Sequence, residues 1–192
     1  MNKMNKFISI TFLTLLVLAG SCFAQNDLSS RVPQLQETAR KANGGALGCG
    51  AGRIKLVTSH GEITIGVGLD PIHVFGGKIV AADLLALLRA RVESNRTGAQ
   101  NPMSGEVDDL MYVILSVLRY SSDPDAIPVI GQLLEDKKAQ IVFQSFSALQ
   151  QLANTSKELQ YAVEKVVFPK TAIALFEKYG VKLPHWVKKE DS

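Results

Sequence analysis

Cysteine, histidine and tryptophan are all scarce in this chain: its 192 residues include two cysteines, three histidines and one tryptophan. One cysteine, Cys22, lies in the leader discussed below, so Cys49 is the only one with a place in the body of the protein. No internal disulfide is then available, and stability has to come from a packed core. Patterns of the Cys-x-x-Cys, His-Glu-x-x-His and Gly-x-Ser-x-Gly kind do not occur, so nothing points to the zinc or serine-nucleophile chemistry they carry. Charge of one sign is lacking too. Removing Lys3 and Lys6 with the leader takes the 21 basic residues to 19 against 18 acidic ones, a net charge of +1. Such balance argues against a nucleic-acid partner.

No apolar run reaches the roughly 18 to 20 residues that span a bilayer. Phe7 to Gly20 comes nearest, preceded by two lysines and followed by small residues, which is the three-part plan of a secretory signal. Cys22-Phe-Ala24 satisfies the small-x-small cleavage rule, and a cut after Ala24 leaves a chain of a size that suits one domain. The sequence therefore predicts an exported protein, periplasmic or secreted, without a transmembrane segment in the mature chain. Leu18-Ala-Gly-Ser-Cys22 also resembles a bacterial lipobox. Lipidation at Cys22, giving a membrane-anchored lipoprotein, is the alternative.

After residues 1–24, the N-terminal part (25–78) reads as a helix, a glycine-rich loop and a β-hairpin. Leu28, Val32, Leu35 and Ala39 recur at helical spacing from Asp27 to Ala42, with Asp27 as cap. The loop Gly44 to Gly52 follows that helix and precedes a strand, the reverse of the dinucleotide-binding order. From Arg53 the period becomes two: Ile54, Leu56 and Thr58, then Ile63, Ile65 and Val67, predict two strands joined at His60-Gly61, with His60 in a left-handed turn position. Two strands alone are barely stable, so the hairpin must rest on helices. Leu69 to Lys78, with Pro71, Gly76 and Gly77, reads as an irregular return.

Residues 79–192 read as helical. Expected helices cover Ile79 to Glu93, Glu106 to Tyr120, Ala126 to Glu135 and Ala139 to Ala153, with a polar break from Ser94 to Gly105. Asp125, rather than Asp123, is the expected cap before Ala126, since it places Pro128 in the first helical turn. Thr155-Ser-Lys-Glu158 fits a capping box for a helix through Phe168; Pro169 opens another and Gly180 ends it. Glu106-Val107, Leu115 and Leu118 recur as Gln140-Ile141, Leu149 and Leu152, at one constant offset and without a gap.

On these residues the chain resembles the HEAT-like repeat family, most closely from Asp123-Pro-Asp-Ala-Ile-Pro to Ala148-Leu-Gln-Gln-Leu-Ala153, partially over Lys78 to Tyr120 and loosely over Lys157 to Gly180. The resemblance implies a mainly α fold, a short helical repeat stack with the N-terminal helix and β-hairpin as a cap, and Val181 to Val187 closing the other end. Single helix pairs cannot bury their apolar stripes and must stack. The family presents extended surfaces to other proteins. The resemblance thus implies a non-catalytic module that binds or scaffolds another exported or envelope protein.

Candidate contact residues are Arg96, Gln100, Asn101 and Met103 in the polar break, and His185 and Trp186 near the C-terminal end. Tryptophan is enriched at binding hot spots but is also a common packing residue. No cofactor and no metal site are expected. The competing reading is a small thiol-dependent hydrolase, with Cys49 as nucleophile and His60, His73 and Asp70 supplying base and orienting acid. Nothing in their spacing requires it.

Overall fold

The structure, a computed structural model, describes residues 34–38, 52–75, 78–98 and 109–189. The chain is mostly helical with a small three-stranded sheet. Of the predicted first helix, residues 34–38 (α1) are described, with Leu35 buried. The leader with Cys22, the Asp27 cap, the loop with Cys49, and Gln100, Asn101 and Met103 lie outside the described residues.

The predicted hairpin is present. β1 (Gly52–Thr58) and β2 (Gly61–Val67) pair antiparallel, with Ile54 opposite Ile65 and Leu56 opposite Ile63. The turn differs from expectation at one residue. Positive φ falls on Gly61 (φ 121) and not on His60, so glycine, which has no Cβ to clash, takes the strained conformation. Thr58 supports the turn through its hydroxyl, which accepts from the His60 N–H (3.1 Å) and donates to the Gly61 carbonyl (3.0 Å).

Leu69 to Lys78 is not an irregular return. Leu69–Phe75 forms a short helix, α2, because Pro71 sits in its first turn, where a missing N–H breaks no intrahelical bond. Lys78–Val80 is a third strand, β3, parallel to β1, giving the sheet order β2-β1-β3. Ile79 and Val80 are therefore strand rather than helix, and β3 straddles the expected boundary at residue 78. Ile54, Leu56, Ile65, Val67 and Ile79 are all buried and form the sheet's apolar side, with α2 and α3 packed against β1. Lys55 and Lys78 stand opposite one another in the β1–β3 register. Glu62 answers both, at 2.9 and 3.6 Å, and the hydrogen bond from Lys55 is the main reason its carboxyl lies below the ordinary range.

α3 (Ala81–Thr97) follows β3 directly, Val80 being both the last strand residue and the residue before the helix. It extends through Ser94 to Thr97, so the polar break begins later than predicted. The reason is in the packing: Asn95 donates to the buried Asp136 at 2.7 Å, so this polar turn of helix has a partner in the fold. α4 (Asp109–Leu118), α5 (Ala126–Gln132), a 3-10 turn (Leu133–Glu135) and α6 (Ala139–Ala153) follow the predicted order. Leu115, Leu118, Leu149 and Leu152, the leucines that recur between the two similar segments, are each at most 1% exposed. α3 packs on α4 and on α5, and α6 packs on α4 and on α5.

α7 (Lys157–Val163) is capped by Ser156, whose hydroxyl accepts the Leu159 N–H at 3.2 Å; Thr155, the expected cap, bonds back to the Gln151 carbonyl instead. It ends at Val163 rather than Phe168, because Val167–Phe168 forms a strand, β4, parallel to β5 (Lys188–Lys189). α8 (Lys170–Lys178) begins after Pro169 as expected, and Gly180 (φ 67) ends it. Among the described residues no helix is long and apolar enough to cross a membrane.

Candidate functional site

Two surface features gather side chains from separated parts of the chain. The first is a groove of about 340 Å³ between α5 and the segment from the end of α7 into β4. Ile127, Pro124 and Gly131 line one wall, and Ala162, Val166 and Val167 the other. Pro128, Gln132, Glu135 and Lys165, all exposed, complete the lining, which holds one acid and one base among mainly apolar side chains. Val167 is 57% exposed. Tyr161, 64% exposed, lies under the Lys165 ammonium, 4.3 Å from nitrogen to ring centroid. Apolar side chains left open beside a cation stacked on an aromatic ring favour an apolar ligand segment with polar flanks.

Local sequence explains why this groove stays open. Pro124 and Pro128 stiffen its α5 wall, and the early end of α7 leaves Val167 exposed as the chain enters β4. Gly131 stands where a Cβ would come 2.9 Å from Val166 Cγ1, so a side chain here would push into the facing wall.

The second feature lies where the hairpin turn meets the segment before α5. A ring nitrogen of His60 and one carboxylate oxygen each from Asp123 and Asp125 lie within 4.8 Å of one another. Asp123 is buried, and its Oδ1 accepts the Asp125 N–H at 2.9 Å. The bond that opens α5 thus comes from Asp123. Asp125 precedes the helix as predicted but makes no side-chain cap bond; its carboxylate accepts from the Ser59 hydroxyl at 3.3 Å.

Of the residues that stand out in the sequence, Arg96 is exposed and paired with Glu93 on its own helix through bonds of 2.8 and 3.0 Å. His185 is exposed, whereas Trp186 is 7% exposed and packed between Phe146 and Phe168, with ring centroids 6.4 and 6.1 Å away. Trp186 is therefore a core residue whose loss would open the packing under α6. His60 meets Asp123 and Asp125, while Asp70 and His73 lie in α2 and Cys49 lies outside the described residues. The groove residues stand out in no sequence pattern, because Pro124, Pro128, Val166 and Val167 carry no chemical signature and meet only through packing. Asp123 and Asp125 read as local helix caps, and a contact with a hairpin far earlier in the chain leaves no periodic trace.

No protein-family model, curated protein or solved structure matches the chain.

Proposed function

We propose that this is an exported, non-catalytic helical module of the HEAT-like kind, which binds another protein in the cell envelope through the groove between α5 and the α7–β4 segment. The observation that carries the reading is the groove itself: apolar walls, exposed Val167 and Tyr161, and Glu135 and Lys165 in its lining. An extended peptide segment with one or two apolar side chains and charged flanks suits these walls. The repeat-stack reading is supported by the way helices two apart in sequence pack on one another, α3 on α5 and α4 on α6. A run of stacked helix pairs has that pattern. Export rests on the leader at residues 1–24.

The test places a photo-cross-linking residue at Gln132, in the lining of the groove, and for comparison at exposed Arg89 on α3. In the native envelope the Gln132 probe is expected to give one discrete protein adduct, absent from the Arg89 probe and lost when Val167→Glu is added. Equal adducts from both positions, or an adduct indifferent to Val167→Glu, would count against the groove as the binding surface.

A further inference from the structure

We propose that His60, Asp123 and Asp125 form a binding site for a divalent transition metal of the zinc class, which ties the hairpin turn to the start of α5. The three ligand atoms lie within 4.8 Å of one another although they come from two distant parts of the chain. The fold, not local sequence, brings them together.

A second observation points to a cation. Asp123 is 2% exposed, and among the described residues the bond its carboxylate accepts comes from the Asp125 N–H, at Oδ1, inside the cluster itself. No lysine or arginine among the described residues pairs with Asp123 or Asp125. Two carboxylates beside one another, with no cationic side chain among the described residues paired to them, form a cluster that a bound cation would complete. Asp136 shows the contrast in the same protein: it too is buried, but it takes two bonds from Arg91, one from Asn95 and one from the Lys138 N–H.

The donor set selects the metal. Two carboxylates bring two negative charges, which a divalent ion balances, and the imidazole nitrogen favours zinc-like ions over calcium or magnesium, which take oxygen ligands. Three protein ligands leave a fourth tetrahedral position open. Ligand atoms around zinc, with bonds of about 2.1 Å, stand about 3.4 Å apart, so the cluster must close slightly. His60 and Asp125 are exposed and free to rotate inward. Asp123 is fixed by burial, by its own bond to the Asp125 N–H, and by the Ser121 hydroxyl that accepts its backbone N–H at 3.1 Å. The Ser59 hydroxyl orients the Asp125 carboxylate from outside the ligand set.

The test uses the chain purified without a histidine tag, stripped with chelator, and carrying Cys49→Ser so that this thiol binds no zinc of its own. Titration calorimetry with zinc chloride is expected to show one equivalent bound, with a raised melting temperature, whereas magnesium and calcium at the same concentration leave melting unchanged. His60→Ala and Asp125→Asn alter exposed side chains and should fold, and each is expected to weaken zinc binding by at least about 10-fold. Asp123→Asn should do the same, and if it fails to fold the two surface variants still decide. Zinc binding that survives His60→Ala, no zinc binding by the folded parent, or a response to magnesium or calcium in place of zinc would each overturn the proposal.

Discussion

Arg91 and Asp136 form a buried bidentate ion pair between α3 and the turn that follows the 3-10 segment, with Nε to Oδ2 at 2.7 Å and Nη2 to Oδ1 at 3.0 Å. Both side chains are at most 5% exposed. Burial pushes the Asp136 carboxyl up, but the bonds from Arg91, the Lys138 N–H and Asn95 outweigh it and hold the group below its ordinary range. The pair fixes the approach of α3 to the segment between α5 and α6.

Breaking this pair from one side takes a bidentate ion-pair contact away from a buried charge. Asp136→Leu is expected to cost about 3 to 5 kcal/mol, and Arg91→Met a similar amount. Replacing both, as Arg91→Met with Asp136→Leu, should recover most of the loss, since neither charge is then stranded. Urea denaturation of the four proteins checks this; strictly additive losses in the double variant would show that the two residues act separately.

The same carboxyl predicts an acid limit. Its folded value lies below its unfolded one, so ionised Asp136 contributes stability that is fully present above about pH 4 and is lost as the pH falls through the folded value. Melting temperatures measured from pH 6 to pH 2.5 should fall at the acid end, and the fall should be shallower in the Arg91→Met, Asp136→Leu double variant. An unchanged slope would place the acid sensitivity elsewhere.

Trp186 is the chain's only tryptophan and lies against Phe146 and Phe168. Its fluorescence is expected to be that of an indole shielded from water, shifting to the red on unfolding together with loss of helical circular dichroism. Trp186→Ala should cost about 3 to 5 kcal/mol. A red-shifted emission in the native protein, or a neutral substitution, would move this residue from the core to the surface.

Processing after Ala24 predicts a mature chain beginning at Gln25, readable from the intact mass of the soluble exported fraction. A membrane-fraction species beginning at Cys22 with added acyl mass would replace that expectation with a lipid anchor, and the search for a partner would move to the membrane surface.

What was legible in the sequence was periodic. The alternation of Ile54, Leu56, Ile63, Ile65 and Val67 marked the hairpin, and the helical spacing of Leu115, Leu118, Leu149 and Leu152 marked α4 and α6. Short elements with long-range causes were not legible. β3 has three residues and exists because β1 offers a free edge, and α2 hid behind Pro71 and the glycines after it. Ser94 and Asn95 read as loop residues because the partner of Asn95 is Asp136, far along the chain. The same limit hid both surface features. Asp123 and Asp125 carry a recognisable local role as caps, and nothing nearby in the sequence announces that His60 arrives beside them.

α5 is held at both of its ends by residues that precede it: Ser59 bonds Asp125 at its start, and Arg91 and Asn95 bond Asp136 just beyond its finish. The wall it gives to the groove is thus tied to the hairpin turn and to α3. The opposite wall, Ala162 to Val167, spans the end of a seven-residue helix and the start of a two-residue strand. For the peptide proposed above, a cross-link stapling Val166 to α5 would set the width of the groove at a single value.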